Sequence, residues 1–281
     1  MTIQWFPGHM TKARREIEDK LKVVDLIIEL VDARVPISSQ NPMLQDIIAH
    51  KPKLVVLMKK DLADQHKTDR WITWFEEQNI ATTAVNVNDS TDIQQTIKMA
   101  KQIGQANIEK RQAKGVNPRA IRAMIIGIPN VGKSSLINRL AKKKIARIGD
   151  RPGITKHQQW IKVSQDFELL DTPGILWPKF EDQNVGIRLA AIGTIKDSLL
   201  SLQDITAYIL EYMQTHYPER LEDRYQMTRE MDDMWDIFEH IGRQRGALES
   251  GGHVNFDKVA ELVLRDLRTG RLGPMTLEDV H

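Results

Sequence analysis

Along the first two thirds of the chain, short uninterrupted apolar runs alternate with stretches whose apolar residues recur at helical spacing, and beyond that point the apolar runs stop. Thr11 to Lys22 predicts an amphipathic helix carrying Ala13, Ile17 and Leu21 on one face, followed by a buried strand from Val23 to Val31 that ends in Asp32-Ala-Arg-Val-Pro36. Asn41-Pro42 is an N-cap and first-turn pair for a short helix to about Ala49. Leu54 to Met58 reads as a second strand running into Lys59-Lys60-Asp61. A helix bearing Trp71, Trp74 and Phe75 follows, its aromatic stripe expected in the core, then a strand from Thr82 to Val87 and a long helix from about Asp92 to Gln112. Lys114-Gly115 breaks that helix. Ala123 to Ile126 predicts a buried strand, Ser134 to Leu140 a helix, Ile148 to Gln158 a loop, and Gln159 to Val163 with Phe167 to Asp171 a hairpin-like pair. From about Gln183 onward the pattern is helical: Val185 to Ile195, Ile205 to Thr215, Thr228 to Ile241, and Phe256 to Leu267 capped by Asn255. This order predicts an α/β domain with a doubly wound, mostly parallel sheet over residues 1–178, and a small all-α domain over 183–281, joined near Trp177 to Asp182.

At 281 residues, with 41% hydrophobic and 28% charged positions, the composition is that of a globular protein of about two domains. No apolar run has the length of a membrane span and the N-terminus lacks a signal peptide's apolar core, so a cytoplasmic location is expected, with neither membrane nor DNA among the partners. The absence of cysteine removes disulfide, thiol-nucleophile and thiolate-metal chemistry. A net charge of +2 conceals an asymmetry: residues 1–180 are net +10 and residues 181–281 net −8. Lys142, Lys143, Lys144, Arg147 and Arg151 form one basic cluster; Lys110, Arg111, Lys114, Arg119 and Arg122 form another. Each is either a solvated face or a contact for a polyanion.

The chemistry concentrates at Gly127-Ile-Pro-Asn-Val-Gly-Lys-Ser134, a G-x-x-x-x-G-K-S string between a predicted strand and a predicted helix. Gly127 and Gly132 let the backbone wrap an anion, with the amides of Asn130, Val131, Gly132, Lys133, Ser134 and Ser135 available to phosphate. Lys133 reaches the terminal phosphates and Ser134 ligates Mg²⁺. Asp171-Thr-Pro-Gly174 lies about 40 residues later at a strand end, where such an enzyme keeps the acid that holds Mg²⁺ through water. Gly174 can sense the γ-phosphate, and Thr155 on the intervening loop can reach the metal. Met58-Lys59-Lys60-Asp61 resembles the guanine motif N-K-x-D: Lys59 packs on the base, Asp61 accepts from its N1 and N2 edge, and Met58 replaces the usual Asn. Asn86 and Val87, at the end of the next strand, supply the second base-loop contact.

The base-recognition strings precede the phosphate strings, the reverse of the usual GTPase order. Together with Trp5-Phe-Pro-Gly-His9-Met, Asp32-Ala-Arg-Val-Pro36 and Asp171-Thr-Pro-Gly-Ile-Leu-Trp-Pro178, this order closely resembles the circularly permuted GTPases of the YlqF type, the bacterial ribosome biogenesis GTPase A family. The resemblance implies a circularly permuted P-loop GTPase domain followed by a small helical domain that helps to grip rRNA. It also implies binding of GTP and GDP, and action on the large ribosomal subunit and its rRNA late in assembly. The alternative is a permuted GTPase switch for another RNA or protein client with little intrinsic turnover. Arg243, Arg245, Arg265, Arg268 and Arg271 can gather into a local positive face on the acidic tail.

Gly174 is followed by Ile175, Leu176 and Trp177, none able to orient an attacking water. If the permutation cut lies in the second switch region, Pro7-Gly8-His9 falls near the γ-phosphate, and His9 is the candidate catalytic side chain beside Lys133, with His157 as runner-up. The competing role for His9 is to cap or pack beside the first helix. Asn130 stands where potassium-stimulated GTPases of similar sequence hold K⁺, or else braces the loop.

Overall fold

The computed structural model describes residues 9–115, 117, 119–143, 159–177, 180–199, 201–228 and 231–280, with backbone alone at 9–13 and 199. Six strands form one sheet: β1 (Leu26–Asp32), β2 (Lys53–Met58), β3 (Ala81–Val85), β4 (Ile121–Gly127), β5 (Gln159–Ser164) and β6 (Phe167–Asp171), in spatial order β3-β2-β1-β4-β6-β5. All pairings are parallel except β5 with β6. Every residue of β1 is buried, as expected of a central parallel strand covered on both faces. The chain builds outward from β1 through β2 to β3, then returns to the other side of β1 with β4, so the topological switch point lies between β1 and β4. In such sheets ligands bind outside the carboxyl ends of the strands at that point. Register brings those ends together: Asp32 lies opposite Met58, Leu30 opposite Gly127, and Ile125 opposite Asp171.

α1 (His9–Leu21) precedes β1, and the strands are joined through α2 (Pro42–Ile48), α3 (Gln65–Glu77), α4 (Ser90–Gln112) and α5 (Lys133–Leu140). Asn41 caps α2 by accepting from the Met43 amide at 3.0 Å, with Pro42 in the first turn. Trp71 and Phe75 on α3 are buried, as the aromatic stripe predicts, and Trp74 meets Phe75 edge-on at 5.0 Å. The first strand begins at Leu26 rather than Val23. Asp25 turns inward instead, where its carboxylate accepts from Arg119 at 2.8 Å and from the Arg122 amide at 2.9 Å.

Five helices follow: α6 (Gln183–Ala191), α7 (Leu202–His216), α8 (Pro218–Tyr225), α9 (Met234–Arg245) and α10 (Phe256–Arg268). Asn255 caps α10 through the Lys258 amide, as expected. Three details depart from the sequence pattern. α6 stops at Ala191 instead of Ile195, because Gly193 turns the chain with φ of 83°. α8 has no counterpart in the apolar spacing; its signal is Pro218 in the first turn. α9 begins at Met234 instead of Thr228, because the Asp233 carboxylate caps it by accepting from the Trp235 and Asp236 amides. Buried side chains run without a break from the sheet through Trp177, Phe180, Leu189 and Ile205 to Val263. After α10 the chain turns back onto the carboxyl edge of the sheet, where Met275, Thr276 and Leu277 are fully buried.

α4 lies close to the sheet because residue 104 is glycine: a Cβ there would sit 2.3 Å from Ile121 Cγ2 and 3.2 Å from Leu26 Cδ2. Gly104→Ala should therefore destabilise the fold by about 1–3 kcal/mol in urea unfolding, overpacking outweighing the ~1 kcal/mol gained in helix propensity. A stabilised variant would show that α4 can lift off the sheet freely.

Candidate active site

Between β4 and α5 the backbone curls through two left-handed residues, Asn130 (φ 61°) and Gly132 (φ 103°), the latter being the N-cap of α5. Turning the chain this way leaves the first amides of α5 facing outward at the switch point, where the helix N-terminus favours an anion. Gly127 is needed for close approach, since a Cβ there would lie 3.1 Å from the Leu30 carbonyl oxygen and from Val131 Cγ1. The segment after β6 packs directly on this loop. A Cβ at Gly174 would lie 3.1 Å from the backbone of Pro129, and the Ile175 amide donates to the Gly127 carbonyl at 3.2 Å. Gly174, expected to sense the γ-phosphate, therefore lies directly against the phosphate loop.

Lys133 and Asp171 form an ion pair, and both are buried. Burial lowers the Lys133 pKa, and the Asp171 charge opposes that shift. Asp171 Oδ1 takes the lysine, while Oδ2 is buried with no hydrogen-bond partner. A carboxylate with one buried acceptor oxygen left over, at the end of the strand beside the phosphate loop, fits a metal-bound water. Among the described residues no cluster of three or more His, Asp or Glu forms a metal cage. Ser134, the expected hydroxyl ligand, lies half-buried in the first turn of α5. Thr155, the third expected metal or phosphate contact, lies outside the described residues, as do His157, Lys144, Arg147 and Arg151.

The base loop lies on the other side of β1. Lys59, itself left-handed (φ 59°), leads into a 3₁₀ turn over Lys60–Leu62 that leaves Asp61 exposed at the site. Lys59 Nζ donates to the Asn130 carbonyl at 2.9 Å and pairs with Asp32 Oδ2 at 3.1 Å. Asp32 is wholly buried and also takes a two-point contact from Arg34, Nε to Oδ1 and Nη2 to Oδ2, each 2.8 Å. Burial by itself would raise the Asp32 pKa, but Arg34 and Lys59 outweigh it and hold the carboxyl well below its ordinary range. Burial lowers the pKa of Lys59, against the opposing charge of Asp32. Asp92 joins the two base-loop strings, pairing with Lys60 at 2.6 Å and accepting from the Asn86 amide at 2.8 Å. Asn86 spends its own side-chain oxygen on the Asn88 amide at 2.9 Å, bracing the loop that carries Val87. Between this loop and α5 a cavity of about 610 Å³ is lined by Val87, Asn88, Ser135, Asn138, Arg139, Lys142 and Lys143.

Met58 is fully buried at the end of β2, with its Cε 3.1 Å from where a Cβ on Gly132 would stand. The sequence shows only that the amide expected at Met58 is missing; the fold supplies the tie between base loop and phosphate loop through Lys59 and Asn130. Asp32, Arg34 and Asp92 carry this arrangement, and the sequence pattern gives none of them a role; the available signal is Asp32 at the end of a strand that is apolar apart from Glu29. Asn130 donates its side-chain amide to the Gly193 carbonyl at 2.8 Å, a contact between the phosphate loop and the turn after α6. His9 is the first residue of α1, and its side chain lies outside what is described. Of the five arginines expected to form a positive face, Arg265 is exposed and the other four have partners within the fold. Arg243 pairs with Glu239, Arg245 donates to the Arg224 carbonyl, Arg268 pairs with Asp197 at 2.8 Å, and Arg271 lies 3.6 Å from Asp266.

Base loop and phosphate loop thus meet at one sheet edge although the chain encodes the first before the second, and the class so defined is the circularly permuted P-loop GTPase, which hydrolyses GTP to GDP and phosphate. The family model for 50S ribosome-binding GTPases matches residues 122–237. The chain is 56% identical over 278 residues to ribosome biogenesis GTPase A of Bacillus cereus, covering 99% of this chain and 94% of that protein. It is 32% identical over 295 residues to mitochondrial ribosome-associated GTPase 1 of Bos taurus, covering 98% of this chain and 88% of that one. Its fold is similar to that of GNP-bound YlqF from T. maritima, with a TM-score of 0.68 at 23% identity over 95% of this chain and 98% of that one. The chain belongs to the ribosome biogenesis GTPase A family.

Because Lys59 already joins the two loops, Met58→Asn should leave GDP affinity unchanged or tighter in a calorimetric titration. Unfolding stability should fall by about 1–3 kcal/mol as a buried thioether gives way to an amide. Clear weakening of GDP binding would contradict this reading of the loop.

Proposed function

We propose that this GTPase binds the large ribosomal subunit and its rRNA in its GTP form and is released after hydrolysis, promoting late maturation of the subunit in the cytoplasm. The observation that carries this reading is likeness over essentially the whole chain, at 56% identity, to a protein named for ribosome biogenesis. It is supported by the family description, which names 50S binding. No helix among the described residues is long and apolar enough to cross a membrane. The rRNA contact is assigned to the helical domain, residues 183–281, together with the exposed positive side chains near the nucleotide, Arg139, Lys142 and Lys143. Phosphate contacts require local rather than net charge.

In this reading Lys59 stacks on guanine and Asp61 accepts from its edge, with Lys60, Asn86, Val87 and Met58 forming the rest of the base pocket. Asn130, Val131, Gly132, Lys133, Ser134 and Ser135 hold the phosphates, and Gly174 with Thr155 reads the γ-phosphate. Ser134, Thr155 and Asp171 hold Mg²⁺, and Asn130 helps to hold K⁺. Such a cation offsets charge developing on the transferring phosphate, a task that an arginine finger performs in other GTPases. His9 is the water-orienting group, because α1 is the element that would follow the Asp171–Gly174 segment in an unpermuted chain.

Co-sedimentation tests the proposal. The wild type should pellet with large subunits in a non-hydrolysable GTP analogue and not in GDP. His9→Ala should pellet equally well in GTP while hydrolysing it ~10²-fold more slowly, the range for a lost acid–base or water-orienting group. Replacing potassium by sodium should slow the wild type. Equal pelleting in both nucleotides would remove the ribosomal switch. Near-normal turnover by His9→Ala would move the role to His157, and equal rates in the two salts would remove K⁺.

A further inference from the structure

The guanine loop is gripped from outside by the far end of the chain. Met275 donates its amide to the Leu62 carbonyl at 3.0 Å, and the Thr276 hydroxyl accepts from the Asp64 amide at 3.2 Å, so the strap holds residues just beyond Asp61. The same hydroxyl donates to the Ala33 carbonyl at 3.3 Å, and the Leu277 amide donates to the Arg34 carbonyl at 2.7 Å. Glu278 then closes the next turn of that segment: its carboxylate accepts from the Ile37 amide at 2.8 Å, from the Ser38 amide at 3.0 Å, from the Ser38 hydroxyl, and from Arg188 at 3.3 Å. Asp279 pairs with Lys67 at 2.9 Å, and Lys67 also donates to the Tyr212 hydroxyl of α7.

We propose that this strap, Met275 to Asp279, positions the guanine-recognition loop, with Thr276 and Glu278 as its positioning residues. The inference rests on the reading of Asp61 as the acceptor for guanine. Asp61 itself is exposed on a single 3₁₀ turn, and such a short turn does not hold a fixed orientation without external anchors. One anchor is the Lys60–Asp92 pair on the α4 side. The strap is the other, bonded to the loop at Leu62 and Asp64. It is also bonded to Ala33 and Arg34, which adjoin the Asp32 carboxylate that holds Lys59. Both side chains that read the base are therefore referred to one buried segment. Thr276 is fully buried with its hydroxyl both accepting and donating, and Glu278 is buried with its partners all on the segment after β1 and on α6. These are directional contacts that a purely apolar plug would not make.

The strap continues directly from α10, so a load on the helical region reaches the base loop along the chain. By linkage, a partner that draws the strap away must weaken guanine nucleotide binding, and bound nucleotide must strengthen strap docking by the same factor.

The test uses the full chain and compares GDP with IDP, which lacks the exocyclic amine that Asp61 accepts. Thr276→Val keeps the shape and removes the hydroxyl. It should raise the Kd for GDP by about tenfold, the scale of one well-placed hydrogen bond to an ordered loop, and shrink the GDP-to-IDP preference. The kcat at saturating GTP should stay unchanged, whereas a merely structural role would lower thermal stability and leave the base preference intact. Should Thr276→Val fail to fold, Glu278→Gln carries the same two measurements. Wild-type affinity and preference in a folded strap variant overturn the proposal. Asp61→Asn, run alongside, should turn the preference toward XDP; if it does not, the base-loop reading itself has failed, and if it does while the strap variants behave as wild type, only the strap proposal has.

Discussion

One buried carboxylate organises the carboxyl edge of the sheet. Asp32 ends the central strand with no exposure to solvent, and an isolated charge there would be prohibitive. Arg34 and Lys59 make it tolerable, and in doing so they fix their own positions: Arg34 shapes the turn after β1, and Lys59 is drawn across to the phosphate loop, where it also meets the Asn130 carbonyl. Removing one partner of such a buried group typically costs ~3–5 kcal/mol. Because the folded pKa of Asp32 lies below its unfolded value, the stability it contributes is complete above about pH 4 and drains away as the pH falls through the folded value.

This cluster explains how a chain with Met58 in the guanine motif still builds a joined site. It also explains why permutation is tolerated. The sheet requires only that β1 lie between β2 and β4 with their carboxyl ends together, and hydrogen bonding between parallel neighbours is indifferent to which strand was made first. What permutation changes is where the termini fall. Here α1 precedes β1, and the helical region after β6 returns the segment beyond α10 to the base loop. Nucleotide loops and helices are consequently linked at Asn130 with Gly193 and at Thr276 with Asp64.

Strands and the phosphate loop were legible because their signals are local: continuous apolar runs, and glycines at fixed spacing before Lys133 and Ser134. Helix limits in the acidic tail were not, because apolar spacing continues past the end of α6, where Gly193 turns the chain, and begins before the start of α9, where Asp233 caps it. Glu278 was silent for a different reason. Its partners at Ile37 and Ser38 lie more than 200 residues away, and nothing in the local pattern distinguishes a buried carboxylate from a solvated one. Met58 was visible as a departure, but the Lys59 contact that compensates for it depends on the left-handed turn at residue 59 and on the curl of the opposite loop.

The most direct test of this account is the GDP affinity of Asp32→Asn in the full chain, measured by titration beside its unfolding free energy. Loss of the charge should free the Lys59 side chain from its bridge to the phosphate loop, weakening GDP binding by about tenfold or more and removing ~3–5 kcal/mol of stability. A variant that binds GDP as the wild type does, with wild-type stability, would contradict the claim that this buried charge joins the two halves of the site.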